Sequence, residues 1–148
     1  MAGLVFVLVA GFLIGYERGS RGVPAGVRTH TLVCLGAMLL TVTSITFDVD
    51  APTRIASSIV TGIGFLGAGI IMHQRRSIHG LTTAATIWLV AAIGITIGLG
   101  FYMTSVLATL GAFVVLKLPH LGEHGYPPIE SAEAKAEKKK PPRKRRKR

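Results

Sequence analysis

Only three acidic residues precede position 119: Glu17, Asp48 and Asp50. Asp48 and Asp50 are hard oxygen donors of the kind Mg²⁺ prefers, and Mg²⁺ commonly uses one or two carboxylates while keeping several waters. Arg54 follows them closely. The stretch 48–54 therefore reads either as the mouth of a cation site or as a solvated loop. Glu17 adjoins Arg18. The two can pair locally, or Glu17 can coordinate a cation or brace Arg28. Hydroxyls are numerous: Thr31, Thr41, Thr43, Ser44 and Thr46, then Ser57, Ser58 and Thr61, then Thr82, Thr83, Thr86 and Thr96. Such groups bond in lipid to a carbonyl one turn back or to a neighbouring helix. Lining a watery path is the sharper alternative.

The histidines His30, His73, His79, His120 and His124 fall in or beside loops. Only His120 and His124 stand at i, i+4, and they lack a third ligand. The single cysteine, Cys34, lies in an apolar run, which excludes both a disulfide framework and a thiolate zinc site. No G-x-S-x-G, no H-E-x-x-H and no phosphate loop ending in G-K-[ST] is present, so an enzyme is not expected. No cofactor is expected either, with Mg²⁺ entering only as ligand or substrate.

These residues hang on five apolar runs. The runs are Ala2 to Tyr16, Thr31 to Phe47, Ile55 to Met72, Leu81 to about Ile97, and about Phe101 to Leu118. Each approaches the ~17–25 residues that cross a hydrocarbon core. The chain has 148 residues, 49% of them hydrophobic, and a mean hydropathy of +0.51. A soluble domain of this size has too little core to hide five such helices. The expected fold is all-α: a polytopic bundle of about five transmembrane helices over 1–118, then a basic tail over 119–148. No removed signal peptide is expected, because no Lys or Arg precedes the first run. No charge lies deep within a run, which weighs against a proton pump or a central carboxylate. Arg18 is expected to snorkel to the headgroups.

Basic residues set the orientation. Arg18, Arg21 and Arg28 fill the first loop, and Arg75 and Arg76 the third. The tail is basic too. Five spans then place the N-terminus outside and the C-terminus in the cytoplasm.

The third run contains Gly62, Gly64, Gly67, Ala68 and Gly69. The glycines spell G-x-G-x-x-G, but no strand precedes them, and the position 20 after Gly67 is Ile87, not an acid. The dinucleotide reading fails on context. Small residues instead let helices approach closely in lipid, so this stretch is expected either to pack helices or to thin the wall of a path.

The tail changes character. Five prolines follow Leu118, and nine of the eleven residues from Lys138 to Arg148 are basic. Under a membrane this reads as a disordered segment contacting anionic lipid, in preference to a nucleic-acid patch.

Three stretches resemble the signatures of the MgtC/SapB family of bacterial membrane proteins. The first is Glu17-Arg18 with Pro24-Ala25-Gly26-Val27-Arg28-Thr29-His30-Thr31-Leu32-Val33-Cys34-Leu35-Gly36-Ala37. The second is Arg54-Ile55-Ala56 with Gly62 to Gly69. The third is Gly80-Leu81-Thr82-Thr83-Ala84-Ala85-Thr86-Ile87-Trp88 with Ala91-Ala92-Ile93-Gly94. Together they cover most of residues 11–98. The resemblance implies a multi-pass protein of the bacterial inner membrane, linked to adaptation to low Mg²⁺. It implies one of two roles: a Mg²⁺ transporter, or a non-transporting regulator that binds a larger membrane complex such as the F-type ATP synthase. A homo-oligomer fits either. The chain departs from the family in two places. Its basic tail stands where longer members carry a folded cytoplasmic domain, and Ala51 interrupts the usual Asp-Pro-x-Arg. The candidate cation or structural polar site is Glu17, Arg28, Asp48, Asp50, Arg54, Thr82 and Thr83.

Overall fold

A computed structural model describes residues 2–47, 53–73 and 80–118. Asp48, Asp50, the basic pair Arg75 and Arg76, and the tail 119–148 lie outside the described residues. Five helices follow in chain order: α1 Ala2–Ser20, α2 Val27–Phe47, α3 Thr53–His73, α4 Leu81–Gly98 and α5 Tyr102–Lys117. The first four are long and apolar enough to cross a bilayer. α5 is shorter, at 16 residues. The chain is thus all-α over its described part, as its apolar runs predict.

One helix end and one helix start matter for function. α1 runs past its apolar stretch and takes in Glu17 and Arg18. α2 begins at Val27, ahead of the apolar run from Thr31, and takes in Arg28, Thr29 and His30. An apolar run ends at its first polar side chain, whereas helical hydrogen bonding does not. The His30 N–H donates to the Gly26 carbonyl at 3.2 Å, inside that polar turn.

Glycines fix how the helices meet. A Cβ added at Gly11 would lie 2.6 Å from Thr31 Cα, and one added at Gly15 would lie 2.6 Å from Val27 Cα. One number rises while the other falls, so α1 and α2 are antiparallel. A Cβ at Gly94 would strike the Cys34 carbonyl, and one at Gly98 would lie 2.7 Å from Thr41 Cβ. Here both numbers rise, so α2 and α4 are parallel. Both pairs are G-x-x-x-G, the spacing that brings small residues to one face and lets helix backbones touch in lipid. α2 is therefore the spine, with α1 on one side and α4 on another.

α3 meets α4 antiparallel, where Gly67 faces the Ala84 methyl and Gly80 faces Ile71. α5 runs parallel to α1, with the Tyr102 ring stacked on Phe6 at 5.2 Å. Gly22 and Gly100 have φ of +68° and +83°, a left-handed backbone that glycine adopts without Cβ strain. They turn the chain after α1 and between α4 and α5. The core joins Val7, Ala10 and Ile14 of α1 to Cys34 and Met38 of α2 and to Val90, Ile93 and Ile97 of α4. The outer surface is apolar as well: Phe12, Phe47, Phe65, Trp88 and Leu107 are all exposed. A bundle apolar on both faces suits lipid as its solvent.

The alternating directions put the ends of α1, α3 and α5 at the same end of the bundle as the starts of α2 and α4. That end carries the functional polar groups.

Candidate functional site

Arg18 is the one charged residue among the buried ones described, at 4% exposure. It does not snorkel. Its Nη2 donates to Thr83 Oγ1 at 2.8 Å, joining the end of α1 to the start of α4. The correction has a geometric cause. Arg18 stands one and two turns beyond the buried residues Ile14 and Gly11 on the same face of α1, and that face is pressed on the bundle. A guanidinium there points inward, and burial of the charge needs a hydrogen-bonding partner.

His30 sits beside it, fully buried. The sequence places His30 in or beside a loop; the structure places it inside the first turns of α2, facing the bundle interior. Nδ1 lies 2.9 Å from the Gly26 carbonyl, and Nε2 lies 3.1 Å from Thr86 Oγ1. A carbonyl only accepts, so Nδ1 carries the proton. In the neutral ring Nε2 then accepts from the Thr86 hydroxyl. That hydroxyl is also 2.8 Å from the Thr83 carbonyl, so one proton can serve either acceptor. Thr83 and Thr86 are three residues apart on α4, which puts both on the face toward α1 and α2.

The result is a compact buried polar cluster: Arg18 of α1, His30 of α2, and Thr83 and Thr86 of α4. It knits three helices together at one end of an otherwise apolar bundle. Its formal charge is positive, which suits an anionic or hydroxyl-bearing neighbour better than a cation.

The residues expected from sequence are distributed differently. Thr83 is in the cluster, whereas Thr82 is exposed one position away. Glu17 lies at the same end, but its Oε1 accepts from Arg21 Nε at 2.9 Å and Nη2 at 2.6 Å. This is an i, i+4 pair within one segment of chain. The carboxylate therefore bonds to neither of the partners weighed for it from sequence, Arg18 and Arg28. Arg28 is exposed at that end, and Arg54 is exposed at the opposite end, at the start of α3. Asp48 and Asp50 lie outside the described residues. Among the described residues, no group of three or more His, Cys, Asp or Glu side chains gathers as a metal site would require.

Most hydroxyls bond locally. Thr41, Thr43, Thr46, Ser57, Ser58 and Thr61 each reach a carbonyl three or four residues back. Thr83 and Thr86 instead reach across to other helices.

The glycine run of α3 behaves unlike the glycines of α1 and α4. A Cβ at Gly62, Gly64 or Gly69 would meet nothing within 4 Å, and only Gly67 has a neighbour. Ala68 is exposed. An apolar groove of about 480 Å³ opens between α2 and α3, with Gly36 and Gly62 among its lining residues.

Sequence reasoning missed Arg18, His30 and Thr86 as one unit. A signal for them existed. All four members of the cluster fall inside the stretches that resemble the MgtC/SapB signatures.

Comparison with known proteins agrees with that resemblance. The MgtC family matches residues 4–123. Protein MgtC of Salmonella typhimurium (strain 14028s) is 47% identical over 107 residues, which is 72% of this chain and 46% of that protein. Protein MgtC of Brucella abortus (strain 2308) is 46% identical over 108 residues, 72% of this chain and 45% of that protein. YhiD of Escherichia coli K12, whose name offers magnesium transport as a candidate role, is 40% identical over 126 residues, 79% of this chain and 59% of that protein. The chain thus spans about half the length of the curated relatives it matches. No solved structure matches. With a family match over most of its length and an apolar five-helix bundle, the chain is a membrane protein that belongs to the MgtC family.

Proposed function

We propose that this protein serves Mg²⁺ homeostasis in the bacterial inner membrane as a regulator. It docks on another membrane protein through α3 and is not a self-contained conduit. One observation carries the reading: α3 presents three glycines with open space before them, beside an unfilled apolar groove, whereas the paired glycines of α1 and α4 are closed on α2. Close approach of small residues is the main route by which helices associate in lipid. The buried polar cluster supports the same reading from the other side. A guanidinium in the bundle interior repels a cation, and the hydroxyls of α2 and α3 are mostly spent on their own helices.

A second reading, Mg²⁺ transport by an oligomer, is favoured by the name of the YhiD relative and by the oxygen chemistry of Asp48 and Asp50. In either case the basic residues at one end favour an orientation with the N-terminus outside and the C-terminus in the cytoplasm.

Reconstitution in proteoliposomes with an internal Mg²⁺ indicator separates the two. The regulator reading expects no flux from the purified protein, and a co-purifying membrane partner that is lost when Gly62 and Gly64 are both made Leu. Flux that disappears with Asp48→Asn or Asp50→Asn would install the transporter reading instead.

A further inference from the structure

We infer that a second copy of this chain packs on the outer side of the α3–α4 pair, each copy seating its Trp88 against Gly64 and Thr61 of the other.

Trp88 is the single tryptophan of the chain. It lies about 10 Å from one end of α4 and about 15 Å from the other, near the middle of the span, and it is 49% exposed. Tryptophan gathers at the membrane–water boundary, where its N–H is wet. At mid-depth no water serves it, and among the described residues no acceptor meets it. An indole N–H left so in hydrocarbon costs free energy that a protein acceptor restores. Ala85 and Ala92 stand one turn to either side on the same stripe of α4, so only small side chains flank the ring there.

The complement lies at the same depth on α3. Gly67 against Ala84 and Gly80 against Ile71 fix one antiparallel register, which sets Gly64 within about 1.5 Å of the level of Trp88. Gly62 lines the groove toward α2. Gly64, two residues on, is turned about 200° from it, to the side of α3 away from α2. On α4, Gly94 meets α2 and Ala84 meets α3; Trp88 comes next around the helix, on that same outer side. A Cβ at Gly64 would meet nothing within 4 Å. Thr61, one turn from Gly64 and exposed, donates its proton to the Ser57 carbonyl at 3.0 Å, so toward a neighbour its oxygen can only accept. The indole can only donate. The two groups are complementary.

Depth selects a second copy as the occupant. Copies inserted alike in one bilayer are related by a two-fold axis along the membrane normal, which preserves depth and brings α4 of one onto α3 of the other. A knob then meets only a hole at its own level, and Trp88 and Gly64 satisfy that condition. A foreign helix imposes no such levelling of knob and hole within one chain. The contact is isologous, so each dimer holds two Trp88–Thr61 bonds. The α2–α3 groove stays open in this arrangement. The dimer therefore goes beyond the docking of another protein and does not depend on it.

The test uses the full chain in liposomes over a range of protein-to-lipid ratios. Dyes on Ser20→Cys (Cys34 is buried and stays unlabelled) report association by energy transfer. In dye-free protein, Trp88 emission reports its own surroundings, with phosphatidylcholine brominated at mid-chain as the quencher. Energy transfer should rise with the ratio, and bromine quenching of Trp88 should fall over the same range. Trp88→Phe keeps a ring and loses the N–H, while Thr61→Val loses the acceptor. Each should raise the dissociation constant of the dimer about sevenfold, the worth of two interhelical hydrogen bonds of ordinary membrane strength. The double variant should be no weaker than either alone. Melting of the dilute, monomeric protein in detergent should be the same for all three. Energy transfer that stays at background at every ratio overturns the proposal. So does association that leaves Trp88 quenching unchanged, which would move the contact to another face. Equal dissociation constants for native and variant chains overturn it as well.

Discussion

Glycines of the same chain do opposite things in α1 and α4 on one hand and in α3 on the other. Gly11, Gly15, Gly94 and Gly98 hold helix backbones against α2, where no Cβ fits. Gly62, Gly64 and Gly69 face open space. Density of small residues therefore does not identify the packed face. Nor does four-residue spacing alone, since Gly64 and Ala68 share it and stay outward; the presence of a partner helix does. Four glycines at G-x-x-x-G spacing close the bundle, and the denser run in α3 is left outward.

The largest effect should come from the closed face. Gly94→Val forces a side chain into the Cys34 carbonyl and should cost about 3 kcal/mol or more, since overpacking a filled core takes 1–3 kcal/mol and backbone yields less than side chains. Thermal unfolding in detergent measures it. An unchanged melting temperature would dissolve the contrast between the two glycine sets.

The polar cluster comes next. Thr83→Val removes the hydroxyl that Arg18 donates to and should destabilise by about 1.5–3 kcal/mol, the range for a hydrogen bond to a charged group. Thr86→Val should cost less, about 1 kcal/mol, because its partner ring is uncharged when Nε2 accepts. Unfolding in the same detergent ranks the two, and the reverse order would reassign the charge to His30.

On the outward face, Gly64→Leu should leave the stability of the isolated protein unchanged within about 0.5 kcal/mol while abolishing recovery of a membrane partner. Loss of the fold itself would mean that α3 packs within the chain after all. The smallest effect belongs to Glu17→Gln. Its exposed i, i+4 pair with Arg21 carries about 0.3–0.5 kcal/mol, and a double cycle with Arg21→Gln should recover that coupling.

The five helices were legible because each is an uninterrupted apolar stretch, and lipid demands little else of a span. Boundaries were less so. The polar turn Arg28-Thr29-His30 interrupts the apolar pattern but not the helix, so the pattern alone places His30 in or beside a loop. Arg18 borders an apolar run, and that position alone points to the headgroups. Only the position of α4 in space reveals that Thr83 waits for it. No local pattern in one chain could bring positions 18, 30, 83 and 86 together, since that convergence is a property of three helices at once. The run in α3 attracted notice by density, whereas the paired glycines of α1 and α4 are separated by ordinary apolar residues and are visible only once their partner is known.

The place of α2 as a spine has a consequence for biogenesis. Its contacts with α1 form between neighbours in the chain, so a hairpin can assemble as soon as both have left the ribosome. Its contacts with α4 wait for some fifty further residues of synthesis. Throughout that interval the side of α2 bearing His30 and Thr41 has yet to meet Thr86 and Gly98. The nascent hairpin must be sheltered at the insertion machinery, or in an assembly intermediate, until the fourth helix slides into place.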